Sequence, residues 1–183
     1  MKLVTLALVV VTMWAYGLEL FNGGDAVCAA NGFVAARPSV GTALSSMFLH
    51  DPSGLAHLGL NMVTLMIFGT LVERAIGSIR FAVLYFAAGF MGAIFHLVVD
   101  PSATVPMVGA SGAIFGVMAA AAMIRTWALA FTVIYFAFNL VGLFAPDLVG
   151  MHGIAIGVHV GGFIAGFLLM RVSFVKKVEE VEA

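Results

Sequence analysis

The sequence predicts an all-α, polytopic membrane protein built as a bundle of six transmembrane helices. Of its 183 residues, 63% are hydrophobic and only 9% are charged, whereas an average soluble domain is about 45–50% apolar and about 25% charged. So few charges cannot cover a water-exposed surface, which excludes a soluble globule. Disorder is excluded as well, because disordered chains are poor in apolar residues. The third observation is a series of six apolar runs, each close to the length of a membrane span.

Each predicted span is an apolar run bounded by turn residues. A helix needs about 20 mostly apolar residues to cross a bilayer, within a range of roughly 17–25. Gly, Pro, Asn and Asp punctuate the chain between the runs, as they do in turns. The runs are Leu3–Phe21, Leu55–Val72, Phe81–Val99, Ala110–Ile124, Trp127–Phe144 and Gly153–Met170.

The connections between the runs indicate one membrane domain over residues 1–183. The first run could instead be a signal peptide, because Lys2 precedes it. Its full spanning length, and the lack of a clear small-x-small site after it, favour a span. The connection from residue 22 to 54 is apolar enough to hold short helices at the membrane interface. Residues 171–183 form a short cytosolic tail.

The basic residues predict the orientation of the bundle. Positive charge is enriched in cytoplasmic loops. With six spans and a cytosolic N-terminus, seven of the eight basic residues lie inside and only Arg37 lies outside; the seven are Lys2, Arg74, Arg80, Arg125, Arg171, Lys176 and Lys177. Both termini are therefore expected in the cytoplasm. A small six-span chain without targeting extensions is expected in a prokaryotic plasma membrane.

Polar side chains inside the spans are few, and in lipid such groups are functional candidates. They are His57 and Asn61 in the second run, His96 in the third, Ser111 in the fourth, Asn139 in the fifth and His159 in the sixth. The depth of each group follows from its distance along the helix to the cytosolic charges, at about 1.5 Å per residue. The count predicts that His57, Asn61, Ser111 and His159 share one layer between the midplane and the outer surface.

A serine and a histidine at one depth suggest a nucleophile and its general base. Serine is a weak nucleophile until a neighbour accepts its proton. Ser111 lies between Gly109 and Gly112, which permit a tight turn. The unpaired N–H groups of a helix start suit a developing negative charge. A helix start within lipid is tolerated only at a wet cavity, so water is expected near Ser111.

His57 and Asn61 are four residues apart and therefore share one face of their helix. Together with the Ser111 amide, they could form an oxyanion hole. None of the nine carboxylates falls mid-span, and Glu19 comes closest. The sequence therefore predicts a Ser–His dyad rather than a Ser–His–Asp triad.

Small residues accompany both candidate catalytic residues. His159, Gly162 and Gly166 share a face of the sixth run, and Gly112 and Gly116 are four residues apart on the fourth. Small residues let membrane helices approach closely. This spacing predicts close packing of the fourth and sixth runs, although Gly-x-x-x-Gly is common in helical bundles.

Three motifs in register give the chain a family resemblance. His57-Leu-Gly-Leu-Asn61, Gly109-Ala-Ser111-Gly112 and His159-Val-Gly-Gly162 with Gly166 resemble the rhomboid intramembrane serine proteases, in the family's order and on the expected second, fourth and sixth spans. The resemblance implies that Ser111 is the nucleophile and His159 the base. It also implies that His57, Asn61 and the Ser111 amide bind the oxyanion.

The resemblance carries further expectations. Phe115 stands where family members carry an aromatic residue, often tyrosine, that packs against the base, so stacking without the hydroxyl is expected. The Trp-Arg pair that many relatives have in the first loop is missing, and Arg37 is the only basic residue there. The family picture implies that the fifth span, Trp127–Phe144, is a lateral gate for a substrate helix.

Other interpretations stay open for the whole chain. It could be a catalytically inactive rhomboid-like scaffold that binds membrane helices, although such relatives typically lack the serine or the histidine. It could be a transporter or proton relay built on His57, His96 and His159. The mid-membrane region, however, holds no carboxylate, and the two halves show no matching broken helices.

For single residues, purely structural roles as helix caps or packing groups also stay open. Ser111 could be a helix cap, and Asn61 could join helices. His96 and Asn139 have no assignable partner, so structural roles are expected. His50 and His152, near the outer boundary, are expected to be solvated or capping.

The expected partners are transmembrane protein substrates and the lipid bilayer. Nucleic acid is not expected, because no basic run is dense enough. The single cysteine, Cys28, permits no internal disulfide. No metal or cofactor is expected, since scattered histidines without carboxylates make a poor metal site.

Overall fold

The computed structural model describes residues 1–144 and 156–174, and it confirms the predicted all-α class. Within these ranges, the regular secondary structure is helical apart from one isolated bridge between Phe33 and Met107. The helices are α1 (Leu3–Phe21), α2 (Gly24–Asn31), α3 (Val40–Ser45), α4 (Leu55–Ile76), α5 (Ser78–Val99), α6 (Ser111–Ala122), α7 (Thr126–Phe144) and α8 (Ile156–Leu169). Helix α4 contains a π-helical turn at Leu65–Gly69. A second π-helical turn, Met170–Phe174, follows directly after α8.

The long helices follow the predicted apolar runs closely. Helices α1, α4 and α5 are each long and apolar enough to cross a membrane, and the described parts of α6, α7 and α8 are shorter apolar helices. The second run extends to Ile76, and the third begins at Ser78. Residues 153–155 of the sixth run and residues 175–183 of the predicted tail lie outside the described residues. The long connection contains two short helices, α2 and α3, as the prediction of short helices there expects.

Helix α6 lies at the centre of the bundle and packs against α4, α5, α7 and α8. Every residue from Gly112 to Ala121 is buried. A helix that is apolar on all sides belongs in a core rather than at a surface. Six of these ten residues are glycine or alanine, and such small side chains let four neighbouring helices approach. The centre of the fold therefore holds the helix that begins at Ser111.

A buried carboxylate joins the start of α1 to the end of α4 and the start of α5. Glu73 is 1% exposed, and its Oε2 accepts hydrogen bonds from the Thr5 amide at 2.8 Å and the Thr5 hydroxyl at 2.7 Å. Its Oε1 accepts from the Val4 amide at 2.9 Å and from Ser78 Oγ at 2.6 Å. The amides belong to the first turn of α1, which has no intrahelical acceptors. Glu73 thus caps α1 and fixes it to the bundle, which favours the interpretation of the first run as a span.

Replacing Glu73 with alanine should destabilise the fold. The change leaves four buried or half-buried donors without an acceptor, and each such loss costs about 1–3 kcal/mol. We expect the free energy of unfolding in detergent to fall by at least about 2 kcal/mol, measured by circular dichroism. Asp25→Ala removes an exposed carboxylate and serves as the control. Equal stability of the two variants would show that the cap contributes little.

A second buried carboxylate fastens the long first connection. Glu19, near the end of α1, is 1% exposed. Its Oε1 accepts from Cys28 Sγ at 3.2 Å, and its Oε2 accepts from the His50 amide at 3.1 Å. Burial and the hydrogen bond with Glu19 raise the pKa of the Cys28 thiol to about 12, so the thiol stays protonated and donates. Both ends of the connection are thereby held at the end of α1.

Candidate active site

Ser111 and His159 are in direct contact. Ser111 is the first residue of α6, and its Oγ lies 2.9 Å from Nε2 of His159 on α8. The histidine is 7% exposed, whereas the serine is half-buried. The two residues that were predicted to lie at one depth are therefore hydrogen-bonded. A serine hydroxyl beside a histidine nitrogen is an arrangement in which the imidazole can take the serine proton.

The turn before Ser111 requires glycine. Gly109 has φ of 125°, a backbone conformation that L side chains rarely adopt. A Cβ atom there would also lie 2.9 Å from both Cε1 and Nε2 of His57. The Gly109 amide donates to the Ser46 carbonyl at 2.9 Å, which ties this turn to the first connection. The turn therefore sets both the start of α6 and its distance from His57.

His57 and Asn61, the two side chains predicted for the oxyanion hole, both lie on α4. The Asn61 Nδ2 atom donates to the His57 carbonyl at 2.9 Å, so one of its two amide hydrogens is used within the helix. The His57 ring faces Gly109 through Cε1 and Nε2 and is half-buried. The Ser111 amide belongs to the first turn of α6, where N–H groups lack intrahelical acceptors. The His57 ring therefore lies beside the turn that leads into Ser111.

An aromatic ring covers the face of His159. The Phe115 ring stacks on the imidazole with centroids 4.3 Å apart and planes 14° apart. On its far side, Phe115 stacks on Tyr135 of α7 at 5.4 Å. The stacking expected from the family resemblance is therefore present without a hydroxyl at position 115. Phe115 therefore covers one face of the imidazole and limits its rotation.

The sequence-based interpretation of Asn139 is wrong in one respect, because Asn139 does have a partner. Its Oδ1 lies 2.8 Å from Nδ1 of His159, and its Nδ2 donates to the Tyr135 carbonyl at 2.8 Å. A signal for this contact exists in the sequence. Ser111 precedes Arg125 by fourteen residues and Asn139 follows it by fourteen, so depth counting places Asn139 in the same layer.

His50 is also located differently from expectation. It is 0% exposed rather than solvated, and its ring lies against that of His57 with centroids 5.1 Å apart. Burial and the neighbouring His57 lower the pKa of His50 to about 4, so it is neutral near pH 7. His50 therefore supports the His57 side of the site by packing. His96 is half-buried on α5, and His152 lies outside the described residues.

Fold and site together define an all-helical membrane protein with a buried hydrogen-bond chain of serine, histidine and asparagine. Residues 37–176 match the family model of the Rhomboid domain. The chain belongs to the rhomboid family. Members of this family are generally intramembrane serine proteases, and some are inactive.

Curated relatives come from plants and bacteria. RHOMBOID-like protein 4 of Arabidopsis thaliana is 37% identical over 69% of this chain and 32% of its own length. Rhomboid protease GluP of Bacillus subtilis (strain 168) is 38% identical over 68% of this chain and 24% of its own. Inactive RHOMBOID-like protein 8 of Arabidopsis thaliana is 35% identical over 47% of this chain and 24% of its own. The chain thus matches at most about a third of each of these three relatives.

Proposed function

We propose that this chain is an intramembrane serine endopeptidase that cleaves transmembrane-helix substrates near the outer ends of their helices. The observation that supports this most strongly is the 2.9 Å contact between Ser111 Oγ and His159 Nε2 within a bundle of apolar helices. Membership in a family of intramembrane serine proteases supports the same activity.

In the proposed mechanism, Ser111 Oγ attacks the scissile carbonyl carbon while its proton passes to His159 Nε2. The carbonyl oxygen becomes an oxyanion, which the Ser111 amide, His57 and Asn61 stabilise by donating hydrogen bonds. His159 then gives the proton to the leaving amine, and the C–N bond breaks to leave an acyl-enzyme. A water molecule, deprotonated by His159, then attacks the ester carbon. The bond from that carbon to Ser111 Oγ breaks, His159 returns the proton to Oγ, and the product leaves with a new carboxyl group. The half-buried Ser111 and His57 provide the route by which that water arrives.

The proposed topology is a single membrane domain with six spans and both termini in the cytoplasm of a prokaryotic plasma membrane. The bias of the basic residues supports this orientation. Ser111 and His57 then lie towards the outer surface. Helix α7 serves as the lateral gate through which a substrate helix reaches Ser111, as the family resemblance implies.

Labelling by a serine-directed fluorophosphonate tests the proposed function. A fluorophosphonate reacts only with a serine whose proton is accepted by a base. We expect one adduct per folded chain, located on Ser111 by mass spectrometry of the purified protein in detergent. Ser102→Ala, which removes an exposed loop serine, should label normally, whereas His159→Ala should not label.

The second candidate function is a catalytically inactive rhomboid-like scaffold. The match to Inactive RHOMBOID-like protein 8 favours this alternative. A folded protein that binds a transmembrane helix without cleaving it, and that gives no adduct with fluorophosphonates of different sizes, would support the scaffold. An adduct on another serine that persists in Ser111→Ala would contradict the proposed nucleophile.

A further inference from the structure

We propose that Asn139 is a positioning residue that holds His159 in the tautomer with its proton on Nδ1, so that the Nε2 lone pair faces the Ser111 hydroxyl. This inference rests on the proposed function, because it concerns how the proposed base is prepared. It extends the predicted Ser–His dyad to a chain of four groups on two helices and the start of a third. The groups are the Tyr135 carbonyl, the Asn139 amide, the His159 ring and the Ser111 hydroxyl.

The orientation of the Asn139 amide follows from its neighbour on α7. The Tyr135 carbonyl can only accept a hydrogen bond, so the Asn139 atom 2.8 Å from it must be the NH₂ group. The opposite end of the amide is then Oδ1, which lies 2.8 Å from His159 Nδ1. Turning the amide over would oppose two carbonyl oxygens at Tyr135. The backbone of α7 therefore decides which end of Asn139 faces the histidine.

The orientation of the amide fixes the tautomer of His159. Oδ1 only accepts, so Nδ1 must carry the proton, and in a neutral imidazole Nε2 is then the acceptor. In the other tautomer, the lone pairs of Nδ1 and Oδ1 would face each other. Both side chains are buried, His159 at 7% exposure and Asn139 at 1%, so water cannot separate them. A buried polar pair without a shared proton is destabilising, because neither group can recover its hydrogen bond from water. Phe115, stacked on the ring, limits its escape by rotation.

The consequence for the reaction lies in the proton transfer. With Nε2 as the acceptor 2.9 Å from Ser111 Oγ, the base is ready before substrate arrives. When His159 becomes an imidazolium, its Nδ1–H already points at Oδ1, so the new charge strengthens an existing hydrogen bond. A neutral amide provides this acceptor without a buried carboxylate, which is costly in a low-dielectric interior.

The experiment compares three variants of the full chain in detergent micelles. Asn139→Leu keeps similar bulk but removes the acceptor, and Asn139→Asp keeps an acceptor oxygen. Thr132→Val is the matched control, because the buried Thr132 hydroxyl of α7 also reaches across, to the Met118 carbonyl of α6 at 3.4 Å, without touching His159. Cleavage of a model transmembrane substrate yields kcat and KM. Nitrogen-15 NMR of labelled histidine reports the tautomer, and the His159 signals are assigned by their loss in His159→Gln.

We expect the wild type to carry its His159 proton on Nδ1. Asn139→Leu should lower kcat at least about tenfold, part of the 10²–10⁴ that general base catalysis contributes, with KM little changed. It should also lose the single-tautomer signature. Asn139→Asp should retain more activity than Asn139→Leu, and Thr132→Val should resemble the wild type in both measurements.

Two results would overturn the inference. One is a wild-type His159 protonated on Nε2, which is decisive even if the Asn139 variants do not fold. The other is a kcat in Asn139→Leu that equals the wild-type value, or a loss of kcat in Asn139→Leu that Thr132→Val shows to the same extent. Failure of the proposed function has a different signature, namely cleavage that persists in Ser111→Ala. Inactive Ser111→Ala together with fully active Asn139→Leu would therefore refute only the role of Asn139.

Discussion

Ser111→Ala should abolish cleavage of a model transmembrane substrate, lowering kcat by at least about 10³-fold, as loss of the nucleophile does in serine proteases. The variant removes one oxygen atom, and with it the atom that would bond to the substrate carbonyl. It leaves the Ser111 amide, His57 and Asn61, so the binding of substrate should change little. Initial rates in proteoliposomes, with product quantified on gels, measure the effect.

The control for this result is the fold itself. Ser111 is half-buried at the start of α6, so water can replace its hydrogen bond to His159 and the unfolding midpoint should change little. His159→Ala should be similarly inactive, and the double variant should lose no more than either single variant, because the two groups act as one unit. Purified Ser111→Ala that still cleaves the substrate would refute the proposed mechanism.

The fold could be predicted largely from composition and turn residues. Apolar runs of spanning length predict helices because a lipid-exposed backbone must satisfy its own hydrogen bonds. The predicted ends of the helices are less accurate where local backbone geometry or a side-chain contact extends a helix. The second run continues to Ile76 through a π-helical turn at Leu65–Gly69, and Glu73 is stable there because the start of α1 supplies its donors.

The site could be predicted in part. The depth of a residue in the membrane can be counted along its helix, but the rotation of that helix about its own axis cannot. Counting along each helix brings Ser111 and His159 to one layer, and their hydrogen bond follows if both face inward. Whether Asn139 faces His159 depends on the rotation of α7 about its axis, and that helix is apolar over most of its circumference. The burial of His50 depends on the path of the first connection, which Glu19 fixes by contacts that hydropathy does not report.

If the proposed gating role of α7 is correct, the position of Asn139 on that helix couples substrate entry to the tautomer of His159. Helix α7 contributes both the Oδ1 atom at His159 and the Tyr135 ring behind Phe115. If α7 is the lateral gate, a displacement that breaks the 2.8 Å contact also releases the His159 tautomer. Cleavage would then require α7 to return against α6 and α8 after a substrate helix has entered.

Gly162→Ala should both destabilise the protein and inactivate it, because α6 and α8 touch through their backbones. A Cβ atom at Gly162 would overlap the carbonyl oxygen of Gly112, and one at Gly166 would overlap that of Gly116. The nearest atoms are backbone, so no side-chain rotation can relieve the clash and the helices must separate. Overpacking of a core typically costs about 1–3 kcal/mol, and we expect the upper end of that range.

Gly162→Ala should also lose activity while it remains folded, because the same separation acts on the contact between Ser111 and His159. Ser111 immediately precedes Gly112, and His159 lies one turn before Gly162 on the facing helix. An outward shift of about 1 Å at this crossing misplaces reacting groups enough to cost about 10²-fold in rate. Gly59→Ala is the matched control, since a Cβ atom on that glycine of α4 meets nothing within 4 Å. Unfolding midpoints and kcat, measured side by side, test the argument; a Gly162→Ala variant as stable and active as Gly59→Ala would mean that the site does not depend on this backbone contact.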